Sequence, residues 1–125
     1  MWINRERKMI TENDLIQFSG TEGYHKLSVG FLKFTDGMAF LAKEAGCFWL
    51  MDIVQSVQHF KKIQDNSSFI VWRIEVDENK SWTVSAWDDF PGNCLYIQEG
   101  NYTDFPFSEF EFYQEWDVCL LKSEH

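Results

Sequence analysis

The stretch that decides the fold runs from residue 69 to residue 87 and reads Phe-Ile-Val-Trp-Arg-Ile-Glu-Val-Asp-Glu-Asn-Lys-Ser-Trp-Thr-Val-Ser-Ala-Trp. In its first half every second side chain is apolar, at Ile70, Trp72, Ile74 and Val76. Trp82, Val84 and Ala86 repeat the spacing in its second half. Because successive side chains of a strand point to opposite faces of a sheet, this alternation predicts two half-buried strands. The polar residues 77–80 between them have the length of a hairpin turn.

Three further strands are predicted after this hairpin. Residues 88–93 form a turn rich in Asp, Pro, Gly and Asn, and residues 94–98 follow it as the third strand. The other two strands are expected within residues 107–116 and at residues 118–121. Within 107–116 two phenylalanines alternate with two glutamates, which predicts rings in the core and carboxylates in water. The strands would form an antiparallel meander.

Helical patterns precede the strands. Thr11 caps a short helix that is expected to end at Gly20. Residues 27–34 are β-prone and lead into a helix over residues 36–45. A longer helix is predicted over residues 49–60, where apolar residues recur at helical spacing for three turns. Helices first and strands afterwards indicate an α+β fold, with an antiparallel sheet of about four to six strands and two or three mostly N-terminal helices on one face.

A chain of 125 residues without a linker or repeat is expected to form one domain over residues 1–125, with residues 1–10 as a basic arm. Twelve Phe and six Trp predict a core built largely from rings. Cys47, Cys94 and Cys119 are an odd number without paired spacing, which favours a reducing compartment. No stretch is typical of a signal peptide or of a membrane span, so a cytoplasmic protein without membrane contact is expected.

The net charge of −9 is concentrated in the second half of the chain. Residues 1–62 hold seven acids and eight bases, a balance of +1, whereas residues 63–125 hold thirteen acids and three bases, a balance of −10. Such a surface repels phosphate backbones, so direct nucleic-acid binding is not expected, although the basic residues 5–8 could make local contacts. The same surface attracts basic proteins, which predicts a basic host protein or protein complex as the partner.

Short motifs along the chain carry a family resemblance. They are Thr35-Asp36-Gly37, Leu41-Ala-Lys-Glu-Ala-Gly46, Trp49-Leu50 with Asp52, Tyr102-Thr-Asp-Phe-Pro106 and Leu120-Leu121-Lys-Ser123-Glu124. From about Phe18 to its end the chain resembles an uncharacterised family of small bacterial and phage proteins. The resemblance implies a mobile-element setting and brings no activity, cofactor or catalytic residue. The family can have a small residue such as Ala in place of Cys47, which argues against a nucleophilic role for this thiol.

Few residues are candidates for catalysis. Cys47 follows Gly46 at the start of a helix, where the dipole lowers a thiol pKa, but no base accompanies it and a buried packing role is the alternative. Asp52 and His59 would share one helical face, which either orients an imidazole for acid–base work or is simply solvated. No metal-ligand spacing and no cofactor motif occurs in the sequence. A protein without metal, cofactor or catalytic activity is therefore favoured.

Acidic and aromatic residues of the second half are the candidates for binding. The set is Glu109, Glu111, Glu115, Asp117, Asp88, Asp89, Trp87 and Tyr102. Carboxylates along strands can mimic phosphates and occupy a groove that normally takes nucleic acid, and Trp and Tyr dominate binding hot spots. The alternatives are a role in solubility for the acids and burial under a second layer for the rings.

These observations favour a small, acidic, non-catalytic binding protein. The specific hypothesis is a phage- or plasmid-borne protein that inhibits or modulates a host nucleic-acid-handling or defence protein by occupying its basic surface, as an anti-CRISPR-like nucleic-acid mimic would. Two alternatives stay open: a small cytoplasmic enzyme that uses Cys47 or His59 with Asp52, and a homo-oligomeric structural protein such as a homodimer.

Overall fold

The computed structural model describes residues 10–18, 23–26 and 30–125. This part of the chain forms a seven-stranded sheet with four short α-helices. The helices are α1 (Glu12–Ile16), α2 (Asp36–Glu44), α3 (Phe48–Ser56) and α4 (Lys61–Asp65). The strands are β1 (Tyr24–Lys26), β2 (Lys33–Thr35), β3 (Ile70–Val76), β4 (Trp82–Trp87), β5 (Cys94–Gly100), β6 (Glu109–Glu115) and β7 (Val118–Leu121). A 3-10 turn over Lys122–Glu124 follows β7.

The strand order is β1-β2-β7-β6-β3-β4-β5, with β2 parallel to β7 and the other neighbours antiparallel. The α+β class is therefore confirmed, but the sheet is larger than four to six strands and mixed rather than antiparallel, and the described residues form four helices rather than two or three. The strands β1 and β2 have three residues each, too few to show an alternating pattern, although β2 overlaps the β-prone segment 27–34. In the parallel pair, Phe34 of β2 lies opposite Cys119 of β7. The local sequence of neither strand indicates a partner so far away along the chain.

The predicted central hairpin forms, with the predicted apolar residues on one face. Trp72 lies opposite Ala86 and Ile74 lies opposite Val84, and all four side chains are fully buried. Asp77 shapes the turn, since its carboxylate accepts hydrogen bonds from the backbone N–H groups of Asn79 and Ser81 at 2.9 and 3.0 Å. The alternation in residues 69–87 thus determines which face of each strand enters the core.

A single hydrophobic core lies between the helices and the inner face of the sheet. The sheet supplies mainly Phe34, Ile70, Trp72, Ile74, Val84, Ala86, Phe112, Cys119 and Leu121, and the helices supply mainly Leu15, Met38, Leu41, Leu50, Met51, Val54 and Ile63. In β6 the prediction of inward rings is confirmed, because Phe112 is fully buried and Phe110 packs against the core.

The N-terminal predictions are met in part. Thr11 caps α1, accepting a hydrogen bond from the N–H of Asp14 at 3.4 Å, but α1 ends at Ile16. The predicted stop at Gly20 lies outside the described residues, as do residues 27–29 of the β-prone segment 27–34.

The helix predicted over residues 49–60 is wrong at its C-terminal end. α3 ends at Ser56, and a separate short helix, α4, begins at Lys61. Gln58 lies in the connection with its side chain buried, and its Nε2 donates to the Val54 carbonyl at 2.9 Å and to Gln114 Oε1 at 3.0 Å. These bonds satisfy a carbonyl at the helix end and tie the connection to β6, so the helix stops although the apolar spacing continues.

Glu124 joins the end of the chain to the start of α2. Its buried carboxylate accepts hydrogen bonds from Thr35 Oγ1 (2.5 Å), the Gly37 N–H (3.1 Å) and the Leu121 N–H (2.9 Å). A Cβ on Gly37 would lie 2.7 Å from a Glu124 oxygen, which explains the glycine. Two of the motifs that carry the family resemblance, at residues 35–37 and 120–124, therefore form one structural contact.

Candidate functional site

The outer face of the sheet carries aligned carboxylates. Strand register places Glu109 of β6 opposite Glu75 of β3, Glu75 opposite Thr83 of β4, and Thr83 opposite Glu99 of β5. We call Glu75, Glu99 and Glu109 the acidic row, since they lie in one line across four strands. All three residues are exposed. With strands about 4.8 Å apart, neighbouring positions of this row are separated by about 5 Å and its two ends by about 15 Å.

The positive charge of Arg73 partly neutralises the carboxylates of the acidic row. Glu75 and Glu109 face each other directly, an arrangement of like charges that destabilises a sheet. The Arg73 guanidinium lies 3.5 Å from a Glu75 oxygen and 4.0 Å from a Glu109 oxygen. Its side chain is only 9% exposed, and the Phe90 ring covers it, with the guanidinium carbon 3.9 Å from the ring centroid. Arg73 is therefore fixed in the sheet surface as a structural cation.

Glu111, one of the predicted binding residues, belongs to this ion-pair network. It pairs with Arg73, which lies opposite it in register, and with Lys122 Nζ at 2.9 Å. Burial opposes the ionisation of Glu111, but hydrogen bonds and charge from Lys122 and Arg73 outweigh burial and lower its pKa. The bond to Glu111 in turn raises the pKa of Lys122. Glu111 therefore stabilises the sheet, and because Arg73 and Lys122 neutralise its carboxylate it contributes little to attracting a partner.

The remaining predicted acids of this region also have partners. Glu115 accepts from His125 Nε2 at 2.7 Å, and Asp117 lies 3.5 Å from Lys33 Nζ. Of the four acids predicted to act together, only Glu109 belongs to the acidic row. The structure distributes the other three along β6 and the turn after it.

Asp88 and Asp89 shape the turn between β4 and β5. The side-chain amide and the backbone N–H of Asn93 both donate to Asp88 at 2.8 Å, and these bonds lower its pKa. Asp89 accepts a hydrogen bond from the Phe90 N–H at 2.8 Å. Their contacts explain how the six-residue turn 88–93 places the Phe90 ring over Arg73.

The predicted aromatic residues have different surroundings. Trp87 is half-buried on the outer face, donates from Nε1 to Ser85 Oγ at 2.8 Å, and meets the Phe90 ring edge-on at 5.0 Å between centroids. Trp87 therefore packs against the ring that covers Arg73. Tyr102 is 69% exposed in the loop after β5 and presents its ring to solvent.

An open groove of about 840 Å³ follows the acidic row. Asp77 lines the groove beside the row, together with the side chains of Ser81, Asn101 and Ser108. The groove and the adjoining network hold five carboxylates, on Glu75, Asp77, Glu99, Glu109 and Glu111, and two cations, on Arg73 and Lys122, which leaves a formal charge of −3. Among the described residues, no three His, Cys, Asp or Glu side chains are placed to hold a metal ion. The groove is suited to several separate cationic groups.

Comparison with known proteins supplies a family and no activity. Residues 9–125 match the profile described as "Family of unknown function (DUF6876)". The chain belongs to this family. The match leaves out residues 1–8, where the basic cluster Arg5, Arg7 and Lys8 lies. No curated protein and no solved structure matches the chain. Of the described helices, none has the length and apolar character that crossing a membrane requires.

In this member of the family, the catalytic candidates lie apart. Cys47 is fully buried at the start of α3, and burial raises the pKa of its thiol to about 12. Its Sγ donates to the Leu41 carbonyl at 3.7 Å, so the thiol is protonated and packed in the core. Asp52 and His59 are both exposed, but His59 lies beyond the end of α3 and so does not share its helical face. The His59 ring instead meets the Phe60 ring edge-on.

Glu75 and Glu99 are absent from the predicted binding set although they form two-thirds of the acidic row. Their position on the polar face of a strand was readable from the alternation in sequence. Which residue each one faces depends on strand register across β3, β4 and β5, and register is set by turn geometry and core packing.

Proposed function

We propose that this protein is a non-catalytic binding protein that docks its acidic row onto the basic surface of a protein partner. The observation that carries the proposal is the alignment of Glu109, Glu75 and Glu99 in one exposed line across four strands. The hydrogen-bonded sheet holds these carboxylates in register, so their spacing is set before a partner arrives.

The spacing of the row favours a protein surface as ligand. A single cation such as Ca²⁺ needs six to eight oxygen ligands within about 2.6 Å of it, whereas the ends of the row are about 15 Å apart. Lysine and arginine side chains on a partner can each reach one carboxylate of such a line. The overall charge of −9 adds long-range attraction, which accelerates encounter with a basic partner.

A surface that binds basic protein patches competes with nucleic acid for the same patches. We therefore propose a nucleic-acid-handling protein of the host as partner, whose basic groove the acidic row occupies. In the mobile-element setting that the family resemblance implies, the consequence of this occupancy is inhibition of a defence protein.

Two matched double variants test the proposal. Glu99→Gln with Glu109→Gln removes two exposed charges from the acidic row, and Asp52→Asn with Asp65→Asn removes two exposed charges from the helices. Each chain is tagged and used to capture proteins from a host lysate. The proposal expects a captured protein that the helix variant retains, that the row variant loses, and that a DNA duplex displaces. Equal retention by both variants, or indifference to the duplex, contradicts it.

A further inference from the structure

A second surface cavity lies at the other end of β6 from the acidic row. It has a volume of about 420 Å³ and is mainly apolar. Its lining consists of Phe31, Gln58, His59, Gln64, Ser67, Trp116 and Asp117. Two large aromatic side chains are exposed to solvent here, Phe31 by 53% and Trp116 by 65%. We call this cavity the aromatic cavity.

The backbone at Trp116 is strained where the ring is displayed. Trp116 is the first residue of the two-residue turn between β6 and β7 and has φ of 58°, a left-handed conformation that is sterically unfavourable for a residue with a side chain. Two hydrogen bonds hold the conformation: its N–H donates to the Ser67 carbonyl at 2.6 Å, and its carbonyl accepts from Gln114 Nε2 at 2.8 Å. A large exposed ring at such a position contributes little to folding, and strain of this kind concentrates at binding sites.

The walls of the aromatic cavity rest on a buried hydrogen-bond network. Gln58 and Gln114 exchange two side-chain hydrogen bonds of 3.0 and 2.8 Å, and Trp72 donates to Gln114 Oε1 at 3.0 Å. Among the described residues, no buried side-chain nitrogen or oxygen lacks a partner. Next to Phe31 in the chain, the Leu32 N–H donates to Gln55 Oε1 at 2.9 Å. The cavity is therefore preformed, which reduces the entropic cost of binding.

We propose that the aromatic cavity binds a methylated ammonium cation, as on a methylated lysine side chain or a choline-like molecule. Rings attract a cation through their negative faces, and Trp is the strongest of the aromatic side chains in this respect. The Asp117 carboxylate and the overall charge of −9 complement a positive ligand. The apolar lining offers few acceptors to a bare ammonium, whereas methyl groups remove most of the need for them.

Lys33 is the cation already present at the rim of the aromatic cavity. Its Nζ lies 3.5 Å from Asp117 Oδ2, and both side chains are more than 40% exposed. A pair of this exposure has little energetic value, so a ligand cation can share or replace the contact with Asp117.

Titration with choline and with its uncharged analogue 3,3-dimethylbutan-1-ol tests the proposal. The analogue has a tert-butyl group in place of trimethylammonium, so the two probes differ mainly in charge. The backbone amide signals of Gln64, Ser67 and Asp117 in NMR spectra report binding, since these lining residues remain in every variant used below. We expect choline to shift these signals and to bind about tenfold more tightly than the alcohol, the factor that corresponds to a cation–π contribution of about 1.4 kcal/mol.

Three variants and one peptide complete the design. Trp116→Gly suits the positive φ, and Phe31→Ala removes an exposed ring, so both should fold and both should abolish choline binding; Tyr102→Ala removes a ring that is exposed elsewhere and should bind normally. A trimethyllysine peptide and its unmethylated form show whether the natural source is a protein. Preference for choline or for the methylated peptide supports the proposal and identifies the source. Equal binding of the alcohol, or normal choline binding by both cavity variants, overturns the proposal. Neither result bears on the function proposed for the acidic row.

Discussion

At the scale of single residues, Glu124 is the buried charge on which the fold depends most clearly. Its carboxylate accepts the hydrogen bonds of the Thr35 hydroxyl and of the Gly37 and Leu121 N–H groups. Removing it leaves these three buried donors without an acceptor. We predict that Glu124→Ala lowers the free energy of unfolding by about 3–5 kcal/mol, because each abandoned buried donor costs about 1–3 kcal/mol before relaxation. Urea denaturation measures this loss.

Two neighbouring variants serve as controls for this prediction. Glu124→Gln keeps one acceptor oxygen and should lose less stability than the alanine variant. Lys122→Ala removes an exposed side chain from the same 3-10 turn and should cost about 1 kcal/mol or less. A Glu124→Ala protein as stable as the Lys122→Ala protein would show that the contact with α2 is not needed.

At Trp116, unlike at Glu124, a substitution can relieve strain, because the backbone of Trp116 is strained and its ring is exposed. Glycine adopts positive φ without steric cost, whereas alanine keeps the strain and loses the ring. We predict that Trp116→Gly is more stable than Trp116→Ala by about 1 kcal/mol in urea denaturation. If alanine is equally stable or better, the turn does not have the strained geometry described here.

At the scale of elements, the Arg73–Glu111–Lys122 ion pairs connect β3, β6 and the end of the chain. The lowered pKa of Glu111 means that its contribution to stability is fully present above the ordinary glutamate value of 4.5 and is lost as the pH falls through the lowered value. We predict that Glu111→Gln costs about 1–3 kcal/mol at pH 7 and that this difference shrinks below about pH 4.5.

Urea denaturation of both proteins from pH 7 to pH 3 measures this difference. Glu109→Gln is a matched control, since it changes an exposed glutamate of the same strand and face. It should lower the free energy of unfolding at pH 7 by less than Glu111→Gln does, because Glu109 is exposed and lies farther from Arg73. A Glu111→Gln deficit that persists unchanged at pH 3 is incompatible with an ionised, paired Glu111.

The strands β3, β4 and β6 could be predicted from sequence because polar and apolar residues alternate along them with a period of two. β3 and β4 pair as expected, and Phe112 enters the core while Glu111 lies on the other face. Features that depend on distant partners could not be predicted. The β-prone segment 27–34 overlaps β2, but its parallel pairing with β7 has no local signal, and α3 ends at Ser56 because Gln58 bonds to Gln114, a residue of β6.

The candidate site shows the same division between local and distant information. Sequence indicated a negative surface on the later strands and placed Glu109 in it. The sequence could not show that Glu111 forms ion pairs with Arg73 and Lys122. Nor could it show that Glu75 and Glu99 align with Glu109, because both arrangements depend on strand register. Cys47 illustrates a further limit, since its helix position favours a low thiol pKa and only the packed core reveals the burial that raises it.

At the scale of the whole molecule, the hydrophobic core and the acidic row lie on opposite faces of the sheet. The inner face of the sheet and the helices enclose the core, while the outer face carries the acidic row above a structural arginine. Charge–charge attraction between exposed groups decays over about 8 Å at physiological ionic strength. Binding that depends on the row should therefore weaken steeply with added salt, whereas unfolding in urea should change little.

The central claim is that a basic ligand docks on the acidic row, and NMR mapping with an arginine-rich peptide tests it most directly. We predict that backbone amide signals of β3, β4, β5 and β6 near Glu75, Glu99 and Glu109 shift on titration, that the shifts reverse with salt, and that Glu99→Gln with Glu109→Gln weakens binding severalfold more than Asp52→Asn with Asp65→Asn. Shifts centred on the helices, or spread evenly over the molecule, would contradict the account.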